Sequence, residues 1–182
     1  MKGMIFTEFL DMVETEFGLE TTEDMLDGCE LETDGAYTAV GNYDASELVA
    51  LVVKLSELTD TPIPQLLHAF GSRIFGHFVA NYGHFISEAG DTFSLLRNIE
   101  DHIHVEVRKL YPDAELPHFN YPVENEGTLT MEYRSERPLA HFAHGLMLAT
   151  VAHFGEDIEI AMEDQSDGQG THALFHLSKS TG

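Results

Sequence analysis

"IEDHIHVEVRKLYPDAELP", residues 99–117, is where the chain changes character. Counted at 100° per residue, Leu96, Ile99, Ile103, Val107 and Leu110 share one apolar stripe, which predicts a helix over 93–110 that stops ahead of Pro112. His102 and His104 flank that stripe on either side of Ile103. Periodicity alone does not choose between them, and either could be a boundary residue with no role beyond packing.

Upstream of this segment the pattern is helical. Met4, Ile5, Phe9, Val13 and Phe17 recur at helical spacing, with Gly18 as a stop. A short helix is expected over 24–31, followed by the turn-rich "DGAYTAVGNYD" (34–44). Asp44-Ala-Ser-Glu47 resembles a capping box opening the helix "SELVALVVKLSELT". Pro62 and Pro64 open another, with Gly83 as its expected end. Downstream of Pro112, "GTLTMEYRS" (127–135) reads as a strand and residues 137–155 as a helix closed by Gly155. "DIEIAMED" and "HALFHLS" alternate with period two and are joined by the turn residues of 163–170, which predicts a hairpin. The expected fold class is α+β: a mainly helical N-terminal part (about 1–92) packed on a part with a small antiparallel sheet and a helix (about 93–182), in one domain.

Composition narrows the function. At 182 residues the chain can bury roughly 70% of its unfolded surface, enough for one core. Its 32 acidic residues against 9 basic ones give a net charge of −23, which repels nucleic acid and anionic membranes. Cys29 is the only cysteine, so no intrachain disulfide and no cysteine-rich metal centre forms. "MKGMIFTEFLDMVE" lacks a signal-peptide pattern and no run reaches membrane-span length, so a cytoplasmic protein with no membrane association is expected. No HExxH zinc signature, nucleophile–base pair or phosphate loop is present, which argues against an enzyme. His141 and His144 form an i, i+3 pair, best read as surface or boundary residues.

"MKGMIFTEFLDMVE", "AFGSRIFGHF" (69–78), "IHVEVRKLYPDAELP" (103–117) and "YRSERP" (133–138) occur in the order found in H-NOX (haem–nitric oxide/oxygen binding) domains. The chain resembles these over its whole length, including the haem domain of the soluble guanylate cyclase β subunit. The most specific element combines the histidine seven residues before Tyr111-Pro112 with a downstream Tyr-x-Ser-x-Arg motif. The resemblance implies a haem buried between the two parts of the fold and His104, not His102, as its proximal iron ligand. It places Tyr133, Ser135 and Arg137 on the haem propionates, Pro117 against the porphyrin, and Ile5 as a distal contact.

These residue types suit that chemistry. A neutral imidazole ligates ferrous iron well, and without Cys-x-x-Cys-His the haem would be non-covalent haem b. Propionates entering an acidic chain need a planar cation and hydroxyl donors. Only five arginines exist, so one inside the motif is informative. The position that carries a distal tyrosine in O2-binding members is Phe142 here, with Phe9, Ile74, Phe78 and Leu146 as its expected apolar neighbours. Bound O2 needs a hydrogen-bond donor and NO does not. The resemblance therefore implies a sensor of nitric oxide (also binding CO) that excludes O2 unless His77, His141 or His144 turns inward. Release of His104 would signal to a separate partner such as a histidine kinase or a cyclic-di-GMP enzyme. The competing readings are a non-haem metal-binding protein and a degenerate, haem-free interaction module.

Overall fold

The computed structural model describes residues 1–180. Helices α1 (Gly3–Phe17), α2 (Leu19–Asp27), α3 (Ala45–Thr59), α4 (Ile63–Ala89), α5 (Thr92–Asn98) and α6 (His104–Leu110) come first. Strands β1 (His118–Glu124) and β2 (Thr128–Arg134), helix α7 (Ala140–Phe154) and strands β3 (Ile158–Asp164) and β4 (His172–Lys179) follow. The architecture is α+β. Two compact units are formed, Met1–Phe70 and the chain from Gly71 onward, and α4 contributes to both.

In the first unit, α1 buries Phe6, Phe9, Met12 and Val13 while α3 buries Leu48, Leu51, Val52 and Leu55, each set on one helical face. α2 begins directly after Gly18 and ends at Gly28, earlier along the chain than expected. Gly18, at φ 89°, lets one helix stop and the next start without a linker. The expected capping box is only half formed. Asp44 Oδ1 accepts the Ser46 N–H at 2.8 Å, but Glu47 turns away to the preceding loop. There its carboxylate accepts from the Thr33 N–H (3.2 Å), the Thr33 hydroxyl (2.7 Å) and the Tyr37 hydroxyl (2.6 Å). Burial alone would raise the Glu47 pKa, but these donors outweigh it and hold the carboxyl below its ordinary value.

In the second unit the sheet order is β1-β2-β4-β3, antiparallel throughout. Alternate residues Leu129, Met131, Tyr133, Phe175 and Leu177 face a core completed by Phe93 and Leu96 of α5 and by Ala140, Ala143 and Met147 of α7. Strand β1 is absent from the sequence-based expectation. Its alternation is obscured by Pro122, which an edge strand tolerates where the register with β2 breaks between Asn120 and Val123.

Two expected helices are drawn differently. α4 does not end at Gly83: it bends at Tyr82 (φ −130°, ψ 24°) and runs on to Ala89, where Gly90 at φ 78° stops it. The segment 93–110 is not one α-helix. Ile99–Ile103 form a π turn between α5 and α6, in which the His104 N–H bonds the Ile99 carbonyl five residues back. The side chain of Leu110, assigned to the apolar stripe, lies outside the described residues.

Candidate functional site

The π turn decides which histidine is buried. One extra residue in a turn rotates everything after it, so the 100° arithmetic fails at Ile103. His102 is exposed within the turn, whereas His104, the first residue of α6, is only 7% exposed. The His104 ring lies 6.0 Å from the Phe119 ring of β1. Its Nδ1 is 3.2 Å from Glu100 Oε2. Burial pushes the His104 pKa down and the Glu100 charge offsets only part of that, so the imidazole is held neutral at neutral pH. A carboxylate facing Nδ1 makes that nitrogen the N–H donor, which leaves Nε2 with its lone pair and no hydrogen-bond partner among the described residues.

The Tyr-x-Ser-x-Arg segment starts in β2 and folds back on itself as it leaves the sheet. The Tyr133 hydroxyl donates to the Arg137 carbonyl at 3.5 Å, and the Arg137 N–H donates to Ser135 Oγ at 3.0 Å. Tyr133 is 2% exposed, wedged between the rings of Phe119 and Phe175. Burial raises its pKa, so it remains a phenol. The Arg137 guanidinium reaches the loop ahead of β1, where it donates to the Glu115 carbonyl at 3.0 Å and pairs with the Glu115 carboxylate. Glu115 is largely exposed, and the half-buried Pro117 stands two residues further on.

The remaining expected site residues are spread over both units. Ile5 and Phe9 lie on α1, Ile5 half-buried and Phe9 fully buried against the Phe70 ring at 5.2 Å. In the second unit, Ile74 of α4 is fully buried, while Phe78, Phe142 and Leu146 are half-buried. Of the histidines that could supply a distal donor, His144 has its ring 5.7 Å from Phe175 of the sheet, and the His77 ring lies beside Phe78 at 6.4 Å.

Sequence reasoning missed two features. One is Glu100, whose i, i+4 relation to His104 was visible. The other is the crossing of α4 and α7. A Cβ on Gly71 would lie 2.2 Å from the Phe142 carbonyl oxygen, 3.0 Å from the Leu146 nitrogen and 3.1 Å from Gly145 Cα. The helix backbones therefore touch there, and the Ser72 hydroxyl donates to the Gly145 carbonyl at 3.1 Å. Phe142 and Leu146 are carried by that contact.

The donor set fits a ferrous haem. It contains a buried neutral imidazole with an uncommitted Nε2, and a guanidinium already seated on a carboxylate, beside a tyrosine and a serine hydroxyl. A propionate is chemically equivalent to the Glu115 carboxylate that Arg137 now holds. Among the described residues no three His, Cys, Asp or Glu side chains converge as a metal-ion site, and no helix is long and apolar enough to cross a membrane.

Comparison with known proteins agrees with this fit. The sequence model of the Haem-NO-binding family matches residues 2–162. No curated protein matches the chain. Among solved structures, the Fe(II) unliganded H-NOX protein from K. algicida is 42% identical with a TM-score of 0.96, covering 100% of this chain and 98% of that one. The H-NOX from Shewanella woodyi, solved in the Fe(II)CO state, is 39% identical with a TM-score of 0.82, covering 99% and 95%. An S. oneidensis H-NOX protein in the Fe(II)NO state is 28% identical with a TM-score of 0.88, covering 100% of both chains.

Proposed function

Since this chain belongs to the Haem-NO-binding (H-NOX) family, a family of haem-iron gas sensors and not of catalysts, we propose that it senses nitric oxide and signals to a separate protein. The observation that carries this reading is the buried His104 imidazole, with Nδ1 committed to Glu100 and Nε2 free to donate.

His104 is the proximal ligand. Arg137 exchanges the Glu115 carboxylate for a propionate, and the Tyr133 and Ser135 hydroxyls, which already brace the Arg137 backbone, hold the second anionic contact. Pro117, at the end of the same loop, would border the haem ring. A ferrous haem held by these residues would supply the gas-binding iron that no side chain of this chain provides. Phe142, Ile74, Phe78 and Leu146 bring no hydrogen-bond donor to a distal ligand. They disfavour O2, which needs one, and leave NO and CO unaffected. The solved relatives ligated by NO and CO support the same ligand class.

If His104 held the haem, its release would free the first turn of α6, which is tied to the π turn on one side and, through Glu100, to β1 on the other. The free energy for that movement is the difference in ligand affinity between the bound and released states. A histidine kinase or a cyclic-di-GMP enzyme is the class of partner that would read it.

The test is the visible absorption spectrum of the anaerobic, reduced, haem-loaded protein, recorded before and after NO and then after exposure of the NO-free protein to air. The expected result is a Soret band that moves with NO and not with O2. A shift with O2 refutes the donor-free distal side, and the absence of any Soret band refutes the haem reading altogether.

A further inference from the structure

Among the described residues, Glu100 is the acidic side chain hydrogen-bonded to His104, and it is itself held in place from several directions. Its Oε2 faces His104 Nδ1 at 3.2 Å and accepts the Phe119 N–H of β1 at 3.2 Å. Its Oε1 faces Arg108 Nη2 at 3.6 Å and His118 Nδ1 at 3.5 Å. The two oxygens thus have separate duties: one towards the imidazole and the strand, the other towards Arg108 and His118. The π turn sets this up, because Glu100 is its second residue and His104 follows its last.

We propose that Glu100 is a positioning residue that fixes the His104 tautomer and sets how firmly Nε2 holds the haem iron. This rests on the haem-sensor reading above. A carboxylate accepting Nδ1–H prevents the imidazole from presenting a protonated Nε2, holds the ring orientation, and raises the electron density that Nε2 donates. Both partners are largely withdrawn from water, with side-chain exposures of 8% for His104 and 22% for Glu100. The hydrogen bond is therefore stronger than an exposed one. The consequence is a proximal bond stiffer than a neutral acceptor would give, and a higher threshold for releasing His104. Arg108 draws on the same carboxylate and moderates it.

The test is the iron–histidine stretching frequency, measured by resonance Raman spectroscopy on the ferrous, unliganded, haem-loaded protein and on two variants. Glu100→Gln keeps the shape and an acceptor but loses the charge that makes such bonds roughly twice as strong. Its stretch is expected at lower wavenumber, with conversion of the NO complex to the form lacking the histidine bond faster by about tenfold or more. Arg108→Gln removes the competing cation from a half-exposed position, and its stretch is expected at higher wavenumber. Unshifted frequencies in both haem-loaded variants overturn the proposal, leaving Glu100 a purely structural residue. If Glu100→Gln fails to fold or to hold haem, the Arg108→Gln shift decides alone: upward supports the proposal, none overturns it. A wild-type protein that takes up no haem is a different failure, that of the sensor reading itself.

Discussion

The contact between α4 and α7 makes a prediction with a definite sign. Gly71→Ala adds one methyl group 2.2 Å from the Phe142 carbonyl oxygen and about 3 Å from two further backbone atoms. Ordinary contact begins near 3.4 Å, so the helices must part by about 1 Å, and no side chain can rotate aside because every neighbour is main chain. Overpacking of this kind costs about 1–3 kcal/mol. Against it stands the helix-propensity gain of Gly→Ala, about 1 kcal/mol. Gly76 lies on the same helix with nothing within 4 Å of its added Cβ, so Gly76→Ala carries the gain without the clash. Subtracting one variant from the other removes propensity and leaves the contact. Gly71→Ala should be less stable than Gly76→Ala by about 1–3 kcal/mol, or roughly 2–12 °C in Tm for a chain of this size. Urea unfolding followed by circular dichroism, with both variants treated identically, measures the difference. If Gly71→Ala proves as stable as Gly76→Ala, the helices do not touch there, and the placement of Phe142 and Leu146 by that contact is wrong.

Three further outcomes are expected. His104→Ala should abolish the Soret band of the reconstituted protein while His102→Ala retains it, checked by titrating each with haem; the reverse pattern would assign the ligand to the other histidine. Phe142→Tyr should introduce a distal donor, and a hydrogen bond to the charged oxygen of bound O2, worth about 1.5–3 kcal/mol, should tighten O2 binding by about ten- to a hundredfold in spectral titration. Glu47→Gln should destabilise by about 1–3 kcal/mol at neutral pH, because a buried acceptor of three hydrogen bonds is altered. Since the folded-state pKa of Glu47 is depressed, its contribution is present above the unfolded value near 4.5 and is lost as pH falls through the lower folded value. The gap between wild type and variant in urea should therefore close in acid.

What the sequence made legible was local and periodic. The faces of α1 and α3 and the β3–β4 hairpin follow from spacing alone, because one side of each must be buried. β1 was missed because Pro122 and the outward His118 and Asn120 hide a strand whose inward residues are only Phe119 and Tyr121. Gly83 resembled a stop, yet the bend sits at Tyr82 and the packing beyond it, around Phe75, Ile86 and Leu95, keeps α4 going to Ala89. Within the site, the choice between His102 and His104 could not be made by periodicity, since a π turn leaves no mark in an apolar stripe. It came instead from the order of motifs along the chain. Glu100 stands at i, i+4 from His104, but as one of 32 acidic residues it carries no mark of its own. The pairing of Arg137 with Glu115, 22 residues apart, has no local signature at all.

The π turn also makes residue number, and not only residue identity, a constraint on this chain. Residues 99–103 hold one residue more than an α-helical turn needs. Removing any one of them would let α5 run straight into α6 as a single helix, at no cost in helix propensity. It would also swing His104 and every later side chain of α6 by about 100°. Most single substitutions in the turn leave that angle intact. A one-residue deletion leaves the composition and the helix content almost untouched, yet it turns the imidazole away from the Phe119 ring of β1. A deletion scan across this segment should therefore yield folded protein that takes up no haem.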